Sequence, residues 1–258
     1  MRAFLEGSTR TAAATRITLS ILVVLMLWQF LATAVVTNRL LLVPPGDVAV
    51  ALLREARSGD LWTNAVATIT AVAASFPVAV VIGIALGLVL SSSRLVSLTL
   101  GPVMTALYSV PIVALAPLFI AWLGLGFASK FVIVTLVAVF PVLVTTEVGL
   151  RSTDHQLMEV ARSYNASGWQ IFTTVTLPFA LPFIVSGVRV AWARALVGII
   201  VAEFFGSFAG FGFAILAAEQ TFATAVLLAY VILLGLLGLF GSLFFEWLER
   251  SLAPWRHQ

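Results

Sequence analysis

The sequence predicts an all-α integral membrane protein, a helical bundle of six transmembrane helices with one long folded loop between the fourth and fifth. Three observations carry that reading. Of the 258 residues, 61% are hydrophobic and only 10% charged, against roughly 25% charged in a soluble domain, so too few polar side chains remain to coat a globule. The stretches Ile17 to Asn38, Leu61 to Ser93, Leu95 to Ser129 and Thr221 to Phe245 hold no Asp, Glu, Lys or Arg, and each exceeds the roughly 18 residues that suggest a spanning helix. The basic residues, mostly arginines, lie scattered near segment ends, which fits membrane orientation and not nucleic-acid binding.

Taken in order, the segment 1–16 carries Arg2, Arg10 and Arg16 ahead of an apolar run, like the charged region of a secretory signal. The run continues from about Ile17 to Thr37, a full bilayer crossing. It is read as a retained signal anchor, span 17–37 behind a cytoplasmic tail 1–16, with cleavage near Ala32-Thr33-Ala34 as the other reading. Pro44-Pro45-Gly46-Asp47 then stops the chain and supplies an N-cap, predicting a short helix outside the membrane that closes at Ser58-Gly59. Spans at about 62–91 and 101–122 follow, separated by the polar turn Ser91-Ser92-Ser93-Arg94. Pro77, Pro111 and Pro117 lie inside them and free backbone carbonyls, which is tolerated where helices line a cavity. After Gly124-Leu125-Gly126 a fourth span covers about 130–149, a fifth about 183–205, and past a glycine-rich turn at 206–212 a sixth covers about 222–245.

Between the fourth and fifth spans, residues 150–182 are polar yet keep helical apolar spacing, which predicts a folded surface loop with two short helices at about 155–164 and 169–175. With the N-terminus inside, the tail, the Arg94 turn, this loop and the C-terminus hold Arg2, Arg10, Arg16, Arg94, Arg151, Arg162, Arg250 and Arg256. The outer segments hold Arg39, Arg54, Arg57 and Lys130. Eight against four predicts both termini cytoplasmic.

Within that loop, Glu159-Val160-Ala161-Arg162-Ser163-Tyr164-Asn165-Ala166-Ser167 followed by Val175-Thr176-Leu177-Pro178 resembles the cytoplasmic signature of ABC importer membrane subunits. That signature reads Glu-Ala-Ala, three residues, Gly, nine residues, then Ile, any residue, Leu-Pro. Glu159, Ala161, Leu177 and Pro178 match outright, Val160 and Val175 are apolar replacements, and Asn165 stands in the glycine position. Asparagine is the next best residue for a left-handed helix end. Gly168 adds local freedom beside it. Ala114 to Leu118, Trp122 to Gly126 and Val201-Ala202-Glu203-Phe204-Phe205-Gly206 resemble runs of the nitrate, sulfonate and taurine permease group.

The resemblance implies a type I ABC importer permease in the bacterial cell membrane, with Glu159, Val160, Ala161, Asn165, Gly168, Leu177 and Pro178 in the loop that couples it to an ATPase. It implies two ATP-binding subunits, a second permease copy forming a homodimer, an extracytoplasmic solute-binding protein, and lipid around the spans, with no nucleic acid. The solute is expected to be a small anion such as a sulfonate, taurine or nitrate; a pyrimidine- or riboflavin-type vitamin precursor is the alternative. No phosphate-binding loop of the Gly-x-x-x-x-Gly-Lys-Ser/Thr type occurs, so ATP and Mg are expected on the partner, and this chain is expected to be non-catalytic with no cofactor and no metal site. The absence of cysteine removes thiolate chemistry, and His155 and His257 fall outside the spans, leaving no intramembrane catalytic or metal pair. A secondary transporter would show duplicated halves, and none is visible.

Four charges fall in or at the edges of spans, where an ionised group costs at least ~2.5 kcal/mol unless paired or hydrated. Glu147 and Arg189 lie at similar depth, and either pair with each other or snorkel separately. Glu203 belongs to an outer gate, to the surface receiving the binding protein, or to a helix cap. Arg189 and Arg194 are the candidates for contact with an anion. Finally, Gly83-Ile84-Ala85-Leu86-Gly87 spaces two small residues for a close helix approach, read as packing within the chain.

Overall fold

In the computed structural model, residues 2–36 and 38–252 are described, with side chains from Thr15 onward. About 88% is helical and no strand occurs among the described residues. The helices are α1 (Arg2–Phe30), α2 (Pro45–Ser58), α3 (Asp60–Ser92), α4 (Arg94–Ser109), α5 (Ala116–Leu123), α6 (Phe127–Arg151), α7 (His155–Ser163), α8 (Gly168–Ile171), α9 (Leu177–Gly206), α10 (Phe211–Gln220) and α11 (Thr224–Leu252). Among the described residues, five stretches are long and apolar enough to cross a membrane, and the bent α4–α5 pair raises the number to six. Arg2, Arg10, Arg256 and His257 fall outside the residues whose side chains are described.

The chain divides into two compact units. The first comprises residues 1–61 and 214–231. Here α1 ends in a π-helical turn at Leu31–Val35, and the Trp28 indole donates to the Val43 carbonyl at 3.0 Å. Helix α2 starts with Pro45 in its first turn, where a missing N–H costs nothing. Asp47, expected as the cap, lies within the first turn and pairs with Arg39 at 3.4 Å. Gly59, at φ 93°, closes the helix in the left-handed region, as the Ser58-Gly59 pattern predicts. The buried Tyr230 donates to Glu55 at 2.8 Å, fixing α2 against the start of α11.

The second unit, residues 62–213 and 232–258, is built on α6. α6 and α9 pack along most of their lengths. The core joins Ala71, Val72 and Ala79 of α3, Val134, Ala138 and Val142 of α6, and Ala191, Ala195 and Ile199 of α9. Small residues set the spacing. A Cβ on Gly83 would lie 2.8 Å from the Val139 carbonyl oxygen and one on Gly87 2.6 Å from the Thr146 Cβ. The small-residue pair on α3 therefore packs within the chain, against α6.

The third predicted span is not one helix. α4 is capped by Ser93, whose hydroxyl accepts from the Val96 N–H at 3.2 Å, so the helix begins well before residue 101. It stops at Ser109, and the chain re-forms as a 3₁₀ turn (Ile112–Leu115) and α5, inclined at 67° to α4. Pro111 is the cause: it supplies no N–H and forces the preceding residue out of the helical region, and Val110 is extended at φ −69°, ψ 128°. Pro117 sits harmlessly in the first turn of α5. A second difference is α10, ten residues between the glycine-rich turn and the last span.

Candidate functional site

The loop of residues 150–182 folds as a knob. Asp154 caps α7, its carboxylate accepting from the Gln156 N–H at 2.8 Å, and His155 meets Glu159 one turn on at 3.1 Å. α7 ends as a Schellman motif: Ala166 N–H donates to the Ala161 carbonyl at 3.2 Å and Asn165 N–H to the Arg162 carbonyl at 2.9 Å. That geometry puts Asn165 at φ 55°, the left-handed turn expected of it. Gly168 opens α8 directly after Ser167, which forms a reciprocal capping box with Gln170 at 3.3 and 2.7 Å. The Ser-x-x-Gln spacing is the local signal for this cap. A π-helical turn, Phe172–Thr176, runs from α8 straight into α9.

The predicted coupling residues divide into two groups. Leu177 packs with Leu150, Ala180 and Ile184, anchoring the knob to the bundle. Glu159, Val160, Asn165 and Gly168 face solvent, as do Tyr164 at 83% and Trp169 at 72% exposure. Val160, Ala161 and Pro178 line a shallow groove of about 500 Å³ between α7 and the start of α9. A compact knob, rigidly continuous with a spanning helix and grooved on its outer side, can transmit displacement into the membrane.

Of the charges within the spans, Glu147, Arg189 and Glu203 have partners of their own. Glu147 and Arg189 do not pair. Glu147 meets Arg151 at 3.2 Å, one helical turn away on α6, and Arg151 also donates to the Leu90 carbonyl at 2.7 Å, near the C-terminus of α3. Arg189 faces α11, with Glu249 at 3.9 Å. An i,i+4 partner on the same helix needs no tertiary arrangement to reach Glu147, which is why it wins. Arg194 is exposed and lines a cavity at the α4–α5 break.

Glu203 is fully buried, and its partner is Lys130, 5% exposed, at 3.2 Å. The carboxylate also accepts from the Thr68 hydroxyl at 2.9 and 3.1 Å and from the Gly212 N–H at 2.8 Å. Lys130 donates on to the Ala209 carbonyl at 2.8 Å. The N–H groups of Gly210 and Phe211 go to Asn64 Oδ1 at 2.9 Å and Thr68 Oγ1 at 2.8 Å. Three successive donors at the entry to α10 are thereby satisfied by side chains of α3 and α9, where a carboxylate also complements the helix dipole. Gly210, at φ 134°, leaves no room for a Cβ, which would fall 2.1 Å from the Glu203 carboxylate. Glu203 thus accepts from a backbone donor at the start of the following helix, α10. Nothing local in the sequence links Lys130, Thr68 or Asn64, which lie 73 or more residues away, to Glu203.

This arrangement defines a polytopic helical membrane protein with a knob between its fourth and fifth spans and a polar lock near the far end of the fifth. Residues 79–255 match the family of binding-protein-dependent transport system inner membrane components. The chain is 33% identical to the aliphatic sulfonates transport permease protein SsuC of Bacillus subtilis over 91% of its own length and 85% of that protein. It is 33% identical to the riboflavin transport system permease protein RibX of Chloroflexus aurantiacus, covering 92% and 88% of the two chains. Among solved structures, a chain of the MetNI methionine ABC transporter in an inward-facing conformation shares the fold, with a TM-score of 0.56 at 18% identity over 75% of this chain and 94% of that one. The chain belongs to this family: it is the permease subunit of an ABC importer, a non-catalytic multi-pass membrane protein that works with a separate ATPase and a solute-binding protein.

Proposed function

We propose that this permease, acting from residue 17 onward as one domain, carries a small anion such as a sulfonate, taurine or nitrate across the membrane when two ATP- and Mg-loaded subunits close against two permease copies. The observation that supports it most is the knob, exposed at Glu159, Val160 and Asn165 and continuous with α9. In this reading Glu159, Val160, Ala161 and Pro178 meet the ATPase, Asn165 and Gly168 shape the turn, and Leu177 conveys the motion inward. Both termini are cytoplasmic; with Lys130 buried and paired, the basic residues stand eight inside against three outside. A bacterial cell membrane, a homodimer and an extracytoplasmic binding protein complete the machine.

The test is biochemical. Copurified ATPase should hydrolyse ATP in response to binding protein with the wild-type permease and lose that response with Glu159→Lys, while permease abundance in the membrane is kept. An unchanged response removes Glu159 from the coupling contact. The similarity to RibX supports a second reading, a neutral heterocyclic vitamin precursor as solute, and a binding-protein titration with sulfonates, nitrate and riboflavin separates the two.

A further inference from the structure

The other intramembrane charges are neutralised: Glu203 by Lys130, Glu147 by Arg151, Arg189 by Glu249. Arg194 has no ion-pair or hydrogen-bond partner among the described residues. It lies seventeen residues after the start of α9 and twelve before its end. At about 1.5 Å per residue those ends are roughly 25 and 18 Å away, beyond a snorkelling side chain. An unpaired guanidinium at that depth must face water or an anion.

What it faces is a cavity of about 370 Å³ whose lining includes Tyr108, Pro111, Val113, Phe140 and Pro141. Tyr108 stacks on Phe140 with ring centroids 5.5 Å apart. The cavity therefore has an apolar wall, and its only polar side-chain groups are the Arg194 guanidinium and the Tyr108 hydroxyl. It sits beside the break in the α4–α5 span, and broken helices at membrane depth occur where they line a cavity. A planar fork of donors beside an apolar wall fits a molecule with a multi-oxygen anionic head and a short aliphatic body.

We propose that Arg194 holds the anionic head of the solute in the translocation path, with Tyr108 and Phe140 receiving the apolar portion, and that the solute class is a short aliphatic sulfonate. This rests on the anionic-solute reading above. The importer, assembled with its ATPase and binding protein in proteoliposomes, is offered labelled ethanesulfonate, butanesulfonate and riboflavin. Wild type accumulates the sulfonates, and Arg194→Gln lowers that uptake by about tenfold or more, the weight of a lost charge-assisted hydrogen bond. Assembly and ATP hydrolysis persist, Arg194→Lys is intermediate, and Arg189→Gln transports like wild type. Riboflavin uptake without sulfonate uptake overturns the anionic reading and this assignment together. Equal sulfonate uptake by wild type and Arg194→Gln overturns this assignment alone.

A second measurement needs no knowledge of the solute. The chain has no cysteine, so Arg194→Cys and Arg57→Cys each carry a single thiol. The membrane-impermeant reagent 2-sulfonatoethyl methanethiosulfonate should label both. Labelling of Arg57→Cys alone places position 194 against lipid and overturns the proposal.

Discussion

Breaking the Lys130–Glu203 pair should destabilise the permease more than any other single charge change in the membrane. Glu203 is 0% and Lys130 5% exposed, so Glu203→Gln leaves an ammonium with only the Ala209 carbonyl beside it. Lys130→Met leaves a carboxylate with Thr68 and Gly212. Removing one partner of a buried pair costs about 3–5 kcal/mol. At roughly 2–4 °C per kcal/mol for a chain of this size, each single variant should melt about 6–20 °C lower. In the double variant neither charge is stranded, and the glutamine still accepts from Gly212 and Thr68, so at least half of the loss should return. The assay is the apparent midpoint for loss of monodisperse elution in detergent, at one fixed heating rate. Single variants that melt like wild type, or a double variant showing the sum of the two losses, would refute the reasoning.

Other outcomes follow from the same geometry. Asn165→Gly should preserve transport, whereas Asn165→Val places a β-branched residue at φ 55°, costs about 1–2 kcal/mol, and should impair it; equal uptake by the two variants removes the turn from the account. Phe222, also left-handed at φ 54°, should be improved by Phe222→Gly, with a melting midpoint higher by the equivalent of about 1 kcal/mol. Gly83→Ala forces a methyl against the Val139 carbonyl and should cost about 1–3 kcal/mol, seen as reduced yield of folded permease. Arg189→Gln should shift the midpoint by less than about 1 kcal/mol, since Arg189 is 42% exposed and 3.9 Å from Glu249.

Long apolar runs made α3, α6, α9 and α11 legible in the sequence, because a bilayer crossing has a length that composition alone can satisfy. The knob is legible because its signals are local: the helical apolar spacing and Asn165 act within a few residues of themselves, as do the Asp154 cap and the Ser167–Gln170 pair. What was hidden depends on contacts remote in the chain. Lys130 looked like a loop charge at a span edge, and nothing near it in sequence reveals a partner 73 residues away. Pro111 announced a kink, but whether a proline bends or breaks a helix is set by what its neighbours can satisfy. α10 is short and apolar, with glycines only at its start, too short to cross a bilayer, so the sequence assigns it neither to the turn at 206–212 nor to the last span. The partner of Glu147 is legible, since Arg151 stands four residues away on the same helix.

The central claim is that the loop between the fourth and fifth spans is where a separate ATPase drives this permease. Photo-crosslinking tests it directly, with a benzophenone amino acid placed at Val160 or Tyr164 on the knob, or at Arg57 on α2. Crosslinks to the ATP-binding subunit from the two knob positions and none from Arg57 are the predicted result. Crosslinks from Arg57 with none from the knob would contradict both the coupling assignment and the orientation of the chain.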